Sequence, residues 1–185
     1  LELMRMESID PERCVLGETE HPFTNGANKW DVRITTNYSE DNPFDSMFSV
    51  IHEGGHALYE MGVADDLQFT NLGGGATMGI HESQSRFFEN LICRNRAFME
   101  PLLETMKKYF PEQMKGVTPD ILYKTVNLSR PSLIRTEADE LTYPLHVMIR
   151  YEIEKAIFAG QLTVKELPGV WNDMYKQYLG VDVPD

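Results

Sequence analysis

The sequence predicts a mainly helical protein with a small β element near its front. Three observations carry that expectation. A capped helical run begins at Asn42-Pro43, two longer helical stretches cover about 80–110 and 131–159, and one segment, 30–36, alternates polar and apolar residues. At 185 residues the chain is the size of one large domain with a substantial core.

Residues 1–13 alternate acidic and apolar positions and offer no small-residue cleavage site. Thr24-Asn25-Gly26-Ala27-Asn28 reads as a turn leading into the alternating segment. There Asp31, Arg33 and Thr35 share one strand face, with Val32 and Ile34 on the other. In the first helix Asn42 is the N-cap, Pro43 takes the first helical position, Asp45 lies in the first turn and Gly62 follows the end. Phe44, Met47, Phe48, Ile51 and Leu58 form its expected apolar stripe. A glycine-rich loop over 72–79 leads into the 80–110 stretch, which Pro101 is expected to bend or divide. Thr118-Pro119 caps a short helix. Pro144 is expected to kink the 131–159 helix, and Thr163 with Glu166 forms a capping box before the last helical pieces.

Hydrophobic residues make up 42% and charged residues 25%, the balance of a globular protein. The net charge of −12 argues against nucleic acid or an anionic membrane surface as partner, because phosphate binding needs clustered Lys and Arg. No apolar run is long enough to span a bilayer. Two cysteines, Cys14 and Cys93, fit free thiols in a reducing compartment, the cytoplasm, better than a disulfide scaffold.

The informative motif is His52-Glu53-Gly54-Gly55-His56, in the middle of the capped helix. Residues four apart on a helix differ by about 40° and about 6 Å, so both imidazoles project from one side and reach one ion. Glu53 lies one residue round, placed to touch an activated water without binding the ion. Adjacent glycines cost a helix about 2 kcal/mol relative to alanine, so something is expected to use the space, such as another backbone or substrate. A catalytic site needs a third protein ligand and an open position. Glu60, Glu82, Glu89 and His81 are the candidates. Glu60 sits on the same helix and closes a tetrahedral site poorly, while Glu82 is favoured on the next helix, with His81 its main rival.

Five ordered blocks resemble the thermostable carboxypeptidase (carboxypeptidase Taq) family of metallocarboxypeptidases. They are His21-Pro22-Phe23, Asp31-Val32-Arg33-Ile34-Thr35, His52-Glu53-Gly54-Gly55-His56, His81-Glu82-Ser83-Gln84 and Ile134-Arg135-Thr136-Glu137-Ala138-Asp139. The family's last block, Gly-x-x-Gln-Asp-x-His-Trp, is absent. The chain therefore resembles a single central catalytic segment, 1–185, of a longer enzyme truncated at both ends. The resemblance implies a helical zincin-like core with a small β-sheet beside the metal. It makes His52, His56 and Glu82 the ligands of zinc, or cobalt, and Glu53 the general base. It also implies a homodimer that removes single residues from peptides with a free C-terminus, with broad specificity.

Weaker signals have ordinary readings beside functional ones. Arg135 offers a planar fork for a substrate carboxylate, or an i,i+4 pair with Asp139. The family block favours the substrate. His21 is a turn residue by itself and near the substrate groove by resemblance. Asp31 and Arg33 brace their strand. Tyr143 and His146 could each stabilise an oxyanion, though a core role comes first for both. The loop at 73–75 lacks the Gly-Lys-Ser/Thr of a phosphate loop and suits a hinge or a pairing edge. An endopeptidase or aminopeptidase with the same metal chemistry, and an inactive metal-binding fragment, are the rival readings.

Overall fold

The alternating segment forms β3 (Asp31–Thr36), the central strand of a three-stranded sheet in a computed structural model that describes residues 1–184. β1 (Cys14–Glu18) pairs with it in parallel and β2 (Thr24–Asn28) antiparallel, giving the order β1-β3-β2. The segment expected to be a turn is thus a strand. Its Gly26 and Asn28 accommodate an irregularity in the ladder, a place where turn-forming residues are tolerated. Val32 and Ile34 are buried as their alternation requires. Thr35, expected on the opposite face, is buried too, because its hydroxyl bonds Thr19 and the Phe23 backbone.

The chain divides into two compact units, Leu1–Tyr123 and the residues from Lys124 onward. In the first, the short helix α1 (Glu2–Met6) and the long helix α2 (Pro43–Met61) join the sheet. Met4, Ile9, Cys14, Val32, Ile34, Val50, Ala57 and Met61 form their common core. Asn42 caps α2 by accepting from the Phe44 N–H, with Pro43 at the first position. The buried stripe of α2 includes Phe48 and Ile51 as expected, whereas Phe44, Met47 and Leu58 are only half-buried. Val50, Ala57 and Met61 complete it instead, because α2 is covered on more than one side.

The 80–110 stretch is not one helix bent at Pro101. α3 (Met78–Arg86) runs into a π-helical turn, Phe87–Ile92, and α4 (Arg96–Tyr109) restarts after it. The division falls at Asn95, whose side chain caps the Ala97 N–H at 2.9 Å, and Pro101 stays inside α4. α5 (Pro119–Val126) follows Thr118, which accepts from the Ile121 N–H as expected.

In the second unit α6 (Tyr143–Phe158) and α7 (Leu167–Leu179) pack through Ile149, Ile153, Tyr175 and Leu179. Residues 131–142 are not helical apart from the 3-10 turn Arg135–Glu137. Pro144 does not kink a helix; it lies in the first turn of α6, where its missing N–H has no partner to lose. Only half of the Thr163–Glu166 box forms: Glu166 Oε2 accepts from the Thr163 N–H and hydroxyl, while the Glu166 N–H bonds the Thr163 carbonyl rather than its hydroxyl, and α7 starts just beyond. Both cysteines are buried free thiols. Among the described residues no helix is long and apolar enough to cross a membrane.

Candidate metal centre

Two neighbouring helices bring three donors together. His52 and His56 project from one side of α2, their ring centroids 5.0 Å apart, and Glu82 faces them from α3. The glycine pair makes this approach feasible. A Cβ at Gly55 would stand 2.7 Å from Ser85 Cα and 2.9 Å from the Gln84 carbonyl oxygen, so α3 lies against bare α2 backbone. That is the close approach of another backbone expected from the sequence. Gly54 instead leaves a notch for the carboxyl of Glu7, whose Oε2 would lie 2.6 Å from a Cβ there.

One donor atom from each of His52, His56 and Glu82 lies within 4.8 Å of the others. Glu82 Oε2 is 3.4 Å from Nε2 of both His52 and His56. Two ligand atoms held about 2.1 Å from one ion at a tetrahedral angle stand roughly 3.4 Å apart. These separations fit a tetrahedral divalent ion held by three protein donors.

The remaining polar atoms of these three side chains are occupied. Glu82 Oε1 accepts from Arg86 Nε at 3.1 Å. His52 Nδ1 faces Glu89 Oε2 at 2.8 Å, and Arg86 and Arg94 hold that carboxylate. Glu89 sits on the π-helical turn, and the Cys93 N–H reaches back five residues to the Phe88 carbonyl. His56 Nδ1 faces His81 Nδ1 at 2.7 Å, and His81 Nε2 meets Glu60 Oε1 at 2.5 Å. Glu60, Glu89 and His81, the other third-ligand candidates, thus stand behind these three donors. Such partners fix ring orientation and raise ligand basicity. Burial disfavours the His52 cation, but the Glu82 and Glu89 carboxylates outweigh it and push its pKa up to about 9. Burial likewise works to raise the Glu82 pKa, and the two facing imidazoles together with Arg86 hold it well below the usual carboxylate range.

Glu53 is buried, and its Oε2 accepts from the Thr24 hydroxyl of β2 at 2.6 Å. The sheet thus reaches the motif through β2. The sequence reading missed this partner, although Thr24 directly follows His21-Pro22-Phe23. It also missed Glu7, whose buried carboxyl oxygens have no hydrogen-bond partner and whose burial pushes the pKa up to about 9.

His21 is exposed in the turn between β1 and β2, its carbonyl bound by the Thr19 hydroxyl. Asp31 and Arg33 form a two-pronged pair at 2.9 and 2.8 Å, as a strand brace. Arg135 and Tyr143 lie in the second unit, where the guanidinium donates to the phenol oxygen at 2.7 Å. The alternative Arg135–Asp139 helical pair does not form. The Asp139 carboxylate accepts instead from the Ser129 hydroxyl, the Arg130 N–H and Thr142. His146 is wholly buried beside the Tyr175 hydroxyl, a core residue as expected.

Comparison with known proteins gives consistent results. The chain is 51% identical over 166 residues to Carboxypeptidase 1 of Bacillus subtilis, covering 90% of this chain and 33% of that protein. It is 41% identical to Thermostable carboxypeptidase 1 of Thermus thermophilus, over all of this chain and 36% of that one. The chain therefore spans about a third of the length of the curated relatives it matches. The crystal structure of an M32 carboxypeptidase from Deinococcus radiodurans superposes with a TM-score of 0.95 at 46% identity, over 100% of this chain and 37% of that one. Metallocarboxypeptidase 1 of Trypanosoma cruzi gives 0.91 at 40% identity, over 98% of this chain and 37% of that one. With a family model for carboxypeptidase Taq (M32) metallopeptidases matching residues 5–185, the chain belongs to that family.

Proposed function

We propose that this chain is the catalytic segment of a zinc-dependent carboxypeptidase that removes single residues from peptides with a free C-terminus. The observation that carries the reading is the convergence of His52, His56 and Glu82, beside a Glu53 carboxylate anchored by Thr24. His52, His56 and Glu82 would hold the ion. Zinc suits two imidazoles and one carboxylate, and cobalt serves in the same geometry. When bound, it would supply Lewis acidity to a water and to the scissile carbonyl.

The chain's own residues do the remaining work. Glu53 accepts the proton of the attacking water and returns it to the leaving amine. The Thr24 hydroxyl fixes one Glu53 oxygen and leaves the other to face the water. Arg135, with Tyr143 holding its guanidinium, would bind the terminal carboxylate through a two-pronged fork, so cleavage falls one residue from the end. Tyr143 supports this role through Arg135, and His21 lines the substrate path. The whole enzyme is a homodimer in this reading.

The three-donor set also bears on the rival readings. A purely structural site is closed by four protein ligands, whereas the one group placed to hold an ion among the described residues has three. The experiment uses the protein carrying this chain, loaded with zinc. Glu53→Gln is expected to retain one zinc equivalent and lose about 10²–10⁴-fold in turnover. Peptides with an amidated C-terminus should resist cleavage. Their ready hydrolysis would mark an endopeptidase or aminopeptidase instead.

A further inference from the structure

The His56 ring has an unusual neighbour for a ligand. Its Nδ1 faces another imidazole nitrogen, His81 Nδ1, at 2.7 Å. Two ring nitrogens at that distance need one hydrogen between them, so one donates and the other accepts. The far side of His81 decides which. Its Nε2 meets Glu60 Oε1, and the same oxygen also accepts from the Gly75 N–H at 3.3 Å. A carboxylate oxygen gathering donors takes the His81 Nε2 hydrogen, which leaves His81 Nδ1 as the acceptor. His56 Nδ1 must then be the donor, and the lone pair of His56 is on Nε2, the atom directed at Glu82.

We propose that Glu60 and His81 form a positioning relay that fixes the tautomer and orientation of His56, presenting Nε2 to the metal. The inference rests on the reading of His56 as a ligand. The two ligand histidines are thus supported differently: His52 meets Glu89 directly, whereas His56 reaches its carboxylate through a second ring. The relay also explains the glycine-rich loop. A Cβ at Gly75 would stand 2.3 Å from His81 Cδ2 and 3.1 Å from Tyr59 Cε1. Only a glycine lets the loop close over the His81 ring, which Tyr59 also flanks edge-on at 5.0 Å. Gly75 is therefore required for the space it leaves.

The test combines zinc affinity, measured by chelator competition, with histidine nitrogen NMR on the zinc-loaded protein. The wild-type spectrum should show His81 hydrogenated at Nε2 and His56 at Nδ1. His81→Ala should lower zinc affinity about 10–100-fold. His81→Asn, whose carbonyl oxygen replaces the Nδ1 acceptor, should recover part of that loss. Gly75→Ala should reproduce the loss by displacing the His81 ring without altering any relay residue. His81 hydrogenated at Nδ1, or unchanged affinity in both His81→Ala and Gly75→Ala, would overturn the relay while leaving the metal site intact. A wild-type protein that binds no zinc would overturn the relay together with the ligand reading on which it rests.

Discussion

Glu7 shows how one side chain sets a pH dependence. Its carboxyl is buried without a hydrogen-bond partner in the notch at Gly54, and burial moves its pKa from 4.5 up to about 9. The folded state therefore favours the neutral acid. For a group raised on folding, the stabilisation is complete below about pH 4.5, declines as pH rises, and is gone above about 9. Glu7→Gln keeps the shape and stays neutral at every pH. The variant is expected to match the parent near pH 4.5 and to become progressively more stable than it from pH 5 to 9. Urea unfolding at three pH values measures this. A difference that does not change with pH would show that Glu7 is solvated or paired in solution. Nothing near Glu7 in the sequence signals this role, because Gly54 and Glu7 meet only after α1 packs on α2. By contrast, His52, Glu53 and His56 were readable as a unit, since their geometry is set by a single helix. Glu82 is already favoured by its place on the next helix, with the family resemblance deciding against His81, whereas Thr24, as the partner of Glu53, required the sheet.

The same division between local and distant causes holds for whole elements. α2 was legible because its cap, its proline and its period all lie within its own residues. β2 was not, because Asn25, Gly26 and Asn28 have turn chemistry and only the ladder to β3 makes them a strand. Residues 131–142 failed for a related reason: the Asp139 carboxylate organises backbone and hydroxyl donors into a loop where periodicity alone suggested helix. The division of the 80–110 stretch comes from the Asn95 cap and the π-helical turn rather than from Pro101, and Pro144 opens α6 rather than kinking it. The contact between α2 and α3 is the element-scale feature on which the site depends, and Gly55→Ala tests it. Alanine gains about 1 kcal/mol of helix propensity. It also places a Cβ 2.7 Å from the Ser85 backbone, where no flexible side chain can yield, and overpacking of that kind costs about 1–3 kcal/mol. The clash is expected to win, lowering the melting temperature and weakening zinc binding as Glu82 moves away with α3. A variant that melts higher and binds zinc unchanged would mean that the two helices do not meet as closely as this.

At the scale of the whole molecule, the metal donors and their supports are unevenly distributed. The residues named above as holding or bracing the candidate centre, from Thr24 on β2 to Glu89 on the π-helical turn, lie in the unit Leu1–Tyr123. Arg135 and Tyr143 belong to the other unit, whose core of Ile149, Ile153, Tyr175 and Leu179 is its own. An ion that binds only the folded state stabilises it by about 2.7 kcal/mol at a hundredfold excess over its dissociation constant. That stabilisation reaches only those amides that open together with the site. Zinc loading is therefore expected to slow hydrogen exchange in α2, α3 and the strands β2 and β3, and to leave α6 and α7 unchanged. Exchange measured by mass spectrometry with and without zinc separates the outcomes. Protection confined to the first unit means that the metal stabilises a part that opens independently of the one carrying Arg135. Equal protection in α6 and α7 means that the two units open as one cooperative body, and that the metal organises Arg135 as well as its own ligands.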